Sequence, residues 1–164
     1  MKQSYQTLIS QLLDAAKTAG ASGVDAMLAR GQSTSVSVRH GKVESSERSE
    51  DFDIGLRVFV GQQTASISTS QLDPDNIKEL ATRAVAMAKL APEDPHVGLA
   101  TADQLAQRIP KLEIFDPAIP DADSLRQRAS DAEAAALTVN GITNSDGGNA
   151  GYGVVDVLIA TSNG

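Results

Sequence analysis

The sequence predicts an α+β fold of two layers, a curved and mainly antiparallel sheet with helices packed on one face. Three observations carry that expectation. Apolar residues recur with a period near 3.6 at the N-terminus, after residue 73 and after residue 121. Between residues 24 and 70 the period changes to 2. Within that stretch, His40-Gly41 and Gly61-Gln62 read as two-residue connections, so the strands follow one another as hairpins.

The first helix carries Tyr5, Leu8, Ile9, Leu12, Leu13 and Ala16 on one stripe. Ser4 is placed to cap it, and Gly20 or Gly23 to end it. Short strands are expected at 24–30, 33–39 and 42–49. Phe52, Ile54, Leu56, Val58 and Val60 then alternate as the strongest strand signal in the chain, and 63–69 returns with Ala65 and Ile67 facing inward. The second helix has Asp73 as its cap, Pro74 at the first helical position and Asp75 complementing the dipole. Its inner stripe is Ile77, Leu80, Ala81, Ala84, Val85 and Ala88.

Five of the six prolines lie in residues 91–120, which read as an extended, wrapping segment. Pro120-Asp121 opens a third helix bearing Leu125, Ala129, Ala132 and Ala136 and stopping near Asn140-Gly141. Two strands joined through the glycine-rich stretch 146–153 are expected to close the fold, the last from Val154 to Ala160. The order is therefore one helix, five strands, two helices separated by the wrapping segment, and two strands. The chain stops at Gly164 directly after an apolar strand, which reads as a cut in a longer polypeptide.

With 164 residues, 41% of them hydrophobic and 21% charged, the chain has the size and composition of one globular domain. Only five aromatic residues occur, so the core must be aliphatic and a base-stacking surface is disfavoured. A net charge of −7 repels phosphate backbones and anionic membranes, which argues against nucleic-acid and membrane partners. The absence of cysteine removes disulfides, thiolate nucleophiles and thiolate metal ligands. No signal-peptide pattern or long apolar run is present, so the sequence reads as soluble and intracellular.

The search for chemistry returns no catalytic, cofactor-binding or metal-binding residue. His40 and His96 stand in a turn and in the proline-rich segment, without the helical spacing that a zinc peptidase motif requires. No serine lies in a G-x-S-x-G turn. Glu44, Glu47, Glu50, Asp51 and Asp53 could compose a cation site or an acid–base pair. A charged strand that resists edge-to-edge aggregation explains them more simply. Asp116, Asp121 and Asp123 run from the proline-rich segment into a helix start, where complementation of the helix dipole explains them without a metal. The glycine-rich 146–153 stretch leads into a strand and lacks a lysine, so it does not fit a phosphate loop. The strands at 33–39, 42–49 and 63–69 carry short polar and charged side chains on one side. That face is either plain solvent surface or a place to dock another domain or an extended peptide.

Several segments in order resemble the TldD/PmbA family. They are Val36 to Glu44 (VSVRHGKVE), Gly55 to Gly61 (GLRVFVG), Ala65 to Ser70 (ASISTS) and the Asp73-Pro74 helix start. Ala86 to Pro95, Ile142 to Gly148 and the closing Ala160 to Gly164 resemble the PmbA/TldE branch in particular. The resemblance implies that residues 1–164 are a single N-terminal domain of a longer subunit. It implies a cytoplasmic heterodimer with a TldD-type subunit, a zinc metallopeptidase that acts on small unfolded peptides and whose members are also named modulators of DNA gyrase. Self-association is the other expected assembly. The family's zinc site belongs to the TldD-type partner, in an HExxxH helix and a later cysteine, so no cofactor is expected in this segment. On this reading the segment is a scaffold that guides substrate. The alternative is a non-enzymatic interaction module or adaptor.

Overall fold

The computed structural model describes residues 2–71, 73 and 76–163, with residues 2–4 described through their backbone. Helix α1 spans Lys2–Thr18, followed by strands β1 (Gly23–Arg39), β2 (Lys42–Val60) and β3 (Gln63–Thr69). Helix α2 (Ile77–Ala88), a 3-10 turn (Ala102–Gln104), helix α3 (Ala122–Leu137) and strand β4 (Gly148–Thr161) complete the order. The strands form one antiparallel sheet in the order β3-β2-β1-β4. The α+β class with a mainly antiparallel sheet is thus as expected.

The strand count is not. The predicted strands 24–30 and 33–39 are one strand, 42–49 and 52–60 are one strand, and the tail holds β4 alone, with no strand at 141–147. Gly31-Gln32 and Glu50-Asp51 had read as breaks. Yet Val24, Ala26, Leu28, Val36 and Val38, all buried, keep the same parity across Gly31. An extended chain hydrogen-bonded on both sides has no reason to turn there.

The chain divides into two compact units. Unit 1 comprises residues 1–30, 51–109 and 156–164. Its core joins Ile9, Leu12, Leu13 and Ala16 of α1 with Ala81, Ala84 and Val85 of α2. Both helices cover the sheet face that bears Val24, Leu28, Ile54, Leu56 and Val58. The two predicted helix stripes and the inward-facing residues of β2 are those found in this core. The ring of Tyr5 lies 5.7 Å from that of Phe52 at its margin. Helix α1 ends as predicted at Gly20, with the Gly20 and Ala21 amides returning to the carbonyls of Lys17 and Ala16. Ser4 falls inside α1 rather than before it. Pro74 and Asp75 lie outside the described residues. Asp73 does not cap α2, because the N-cap is Asn76, whose side chain accepts the Asp73 amide at 3.2 Å instead of a helix amide.

Unit 2 comprises residues 31–50 and 110–155. Its core is small: Val36 and Val38 lie beneath Leu125 and Ala129 of α3, with Ala150 and Tyr152 partly buried beside them. Asp121 stands at the start of α3 as expected, and it also caps the helix, its carboxylate accepting the Ser124 amide at 2.8 Å. The inner stripe differs from the predicted one, since Ala132 and Ala136 are exposed and Glu133 is buried in their place.

The proline-rich stretch 91–120 holds no regular element beyond the 3-10 turn and is mostly exposed, as its composition requires. No described helix is long and apolar enough to cross a membrane.

Candidate functional site

In unit 1 the helices leave one sheet face open. The register between β2 and β3 sets Arg57 opposite Ser66 and Gly55 opposite Ser68. On the adjoining strand, Asp25 and Met27 complete a shallow groove of about 370 Å³. Asp25 and Arg57, 32 residues apart in sequence, meet as a forked ion pair. The Arg57 Nε–H reaches the carboxylate oxygens at 3.1 and 3.0 Å, and Nη2 donates to the same group. The guanidinium carbon also sits 5.2 Å from the centroid of the Phe59 ring. The hydrogen bond to Asp25 holds the Arg57 guanidinium above its usual range, and the carboxylate's charge adds to this against the cost of burial.

This pair cancels its own charge, so the groove is polar without being strongly ionic. A Cβ built on Gly55 would meet nothing within 4 Å, and the groove is therefore open above the backbone. Strand β3 borders it as an edge strand. Val60 and Gln63 close the turn as a pair, and the Phe59 carbonyl accepts the Ser22 amide on the opposite side at 2.7 Å. By the antiparallel alternation, the main-chain groups of Thr64, Ser66 and Ser68 face away from the sheet. An extended chain laid along this edge would find amide partners together with short hydroxyl side chains.

Unit 2 contains a second polar construction that the sequence did not disclose. His40 (φ 50°) and Gly41 (φ 71°) form the predicted tight turn. Both turn amides donate to Glu133, at 2.8 Å to Oε1 and 2.9 Å to Oε2. Glu133 is only 3% exposed. The amides of Gly41 and His40 hold its carboxyl below the usual carboxylate range, and the Ser145 hydroxyl contributes to the same effect. Only the spacing from Leu125 to Ala129 to Glu133 hinted that this acid faces inward. A carboxylate on that stripe reads from sequence as an exposed residue.

The remaining sequence candidates fall as follows. His40 and His96 are both exposed, the latter donating its amide to Asp94 at 2.9 Å. Glu44 pairs with Arg39 of β1 at 3.8 Å, and Glu50 with Arg48 along β2 at 2.6 Å. Asp116 accepts the Ala118 amide at 2.9 Å, and Asp123 pairs with Arg126 at 3.4 Å. Gly147 and Gly148 lead into β4 rather than a helix. Among the described residues no three His, Asp or Glu side chains gather as a set fit to hold a metal ion.

Residues 24–88 match the family described as PmbA/TldA metallopeptidase domain 1. Over 147 residues the chain is 35% identical to the metalloprotease PmbA homolog of Haemophilus influenzae, covering 89% of this chain and 32% of that protein. Over 135 residues it is 34% identical to metalloprotease PmbA of Escherichia coli O157:H7, covering 80% and 30%. The chain thus spans about a third of the length of the curated relatives it matches. Its fold is that of a Bacteroides thetaiotaomicron protein described as a modulator of DNA gyrase, with a TM-score of 0.87 at 20% identity over 97% of this chain and 37% of that one. It is shared also with TldE from Thermococcus kodakarensis, with a TM-score of 0.79 at 16% identity over 96% and 35%. The matching sequence, supported by the common fold, identifies the chain as an N-terminal domain of the PmbA/TldE type, a metallopeptidase-family domain.

Proposed function

We propose that this domain is the substrate-guiding scaffold of a cytoplasmic TldD/TldE-type zinc metallopeptidase assembly that acts on small unfolded peptides. A TldD-type partner subunit supplies the zinc. The observation that carries this reading is the open groove over Gly55 and the Asp25–Arg57 pair, bordered by the outward main-chain groups of β3. An unfolded peptide offers the complementary main-chain donors and acceptors whatever its sequence, so an edge and a polar floor hold it without selecting side chains.

The test is cleavage of an unfolded peptide by the full-length subunit assembled with a TldD-type partner. Gly55→Leu fills the groove at a position where the backbone has room. Unchanged assembly with a marked fall in kcat/KM supports guidance. Cleavage at the wild-type rate overturns it. Stable capture of a different protein, with no TldD-type subunit bound, would favour the adaptor reading instead.

A further inference from the structure

Unit 2 contains a cleft of about 470 Å³ beside the N-terminal end of α3, within the range of about 300–1,000 Å³ used by small-ligand sites. Gln32, Thr34, Ser46 and Tyr152 contribute polar groups to it, and Ile119 and Val154 contribute apolar surface. Gln32, Thr34 and Tyr152 are half-buried there and Ser46 is exposed. The cation in the lining, Arg48, is bound to Glu50 at 2.6 Å. Glu47 and the helix cap Asp121 also line the cleft, so its charge balance is acidic. An anionic ligand would meet repulsion there, whereas a cation would be drawn in.

We propose that this cleft binds a short extended peptide segment with one apolar side chain next to a lysine or arginine, and that it disfavours acidic segments. The Gln32 side-chain amide offers a donor and an acceptor to one peptide unit, and the hydroxyls of Thr34 and Tyr152 serve the next. The apolar side chain packs between Ile119 and Val154, and the cation lies near Glu47 and Asp121. The inference rests on the reading of this domain as one that handles unfolded peptide. It adds a second contact point and a charge preference.

The test is a titration of the isotope-labelled chain, followed by amide chemical shifts, with acetyl-Ala-Leu-Lys-Ala-amide and its glutamate counterpart as probes. Saturable shifts are expected at residues 32–34, 46–48, 119–122 and 152–154. Two rim carboxylates acting at the strength of exposed ion pairs should favour the lysine peptide by about tenfold. Glu47→Lys should narrow or reverse that preference, and Gln32→Ala should weaken both peptides, with the spectra of both variants reporting an intact fold. The absence of saturable shifts in these segments, or equal binding of the two peptides, overturns the proposal. If the cleft binds as expected but Gly55→Leu leaves cleavage unchanged, the guidance reading fails alone. If cleavage depends on Gly55 but the cleft stays silent, the cleft proposal fails alone.

Discussion

Gly148→Ala should release α3 from its seat. Gly148 opens β4 against the helix, and a Cβ built there lands on the Ala129 carbonyl oxygen, 3.0 Å from its carbon and 3.2 Å from the Glu133 nitrogen. All three obstacles are main-chain atoms of α3, which no rotamer change can clear. Overpacking of this kind costs about 1–3 kcal/mol, and a fixed backbone obstacle puts it at the upper end. The strand must retreat by about 1 Å or more to clear that oxygen, and a gap of about 1 Å already forfeits roughly half of each dispersion contact across the seam. The fully buried apolar side chains of α3 are Leu125 and Ala129. Burial of a leucine contributes about 1.5–3 kcal/mol, so the penalty rivals what holds the helix down. Hydrogen exchange should then show lost protection across residues 122–137 with α1 and α2 still protected. Should the whole chain melt as one, about 3 kcal/mol corresponds to a fall of roughly 6–12 °C in Tm. Gly55→Ala is the control, because its Cβ meets nothing and its effect should stay within about 0.5 kcal/mol. Unchanged α3 protection together with an unchanged Tm in Gly148→Ala would refute the close approach.

Leu12 is fully buried in the unit 1 core, and Leu12→Ala should cost about 2–5 kcal/mol in urea unfolding of the cooperative unit. Arg57→Ala removes an ion pair whose arginine is half exposed, so stability should change by no more than about 1 kcal/mol in the same assay. Glu133 titrates below its unfolded value because the Gly41 and His40 amides favour its charged form. Its contribution is therefore complete above the unfolded glutamate value of about 4.3 and is lost as pH falls through the lower folded value. The urea midpoint of the wild type should drop across that window, and Glu133→Gln should flatten the drop while lowering the midpoint at neutral pH.

The inner faces of α1 and α2 and both tight turns were legible in the sequence because they depend on local periodicity and on glycine placement. Ile9 to Ala16, Ile77 to Ala88 and the turns at His40-Gly41 and Gly61-Gln62 needed no tertiary knowledge. The strand boundaries were not legible, because Gly31-Gln32 and Glu50-Asp51 look like punctuation until the neighbouring strands that hold them straight are known. The constancy of parity from Val24 to Val38 was the available signal. Asp25 and Arg57 could not be paired without the sheet register, and each read alone as an ordinary charge on a strand. Glu133 was hidden for a different reason. A buried carboxylate is stable only with its donors in place, and those donors are the main-chain amides of a turn more than 90 residues away.

The grip of Glu133 on the His40-Gly41 turn bears on how the two longest strands find each other. Residues 42–50 of β2 are almost wholly exposed, and serines and charges outnumber apolar residues along them. Burial therefore does little to tell one alignment with β1 from the next, and ribbons of this kind are prone to slip by a residue or two. The carboxylate accepts two adjacent amides of a turn in which both residues have positive φ, a conformation that favours the frame with Gly41 in the turn. In a shifted alignment other residues would have to take up that conformation to bring their amides to Glu133. One acidic side chain on a helix thus acts as an index pin for the hairpin, selecting the frame in which the polar halves of both strands pair.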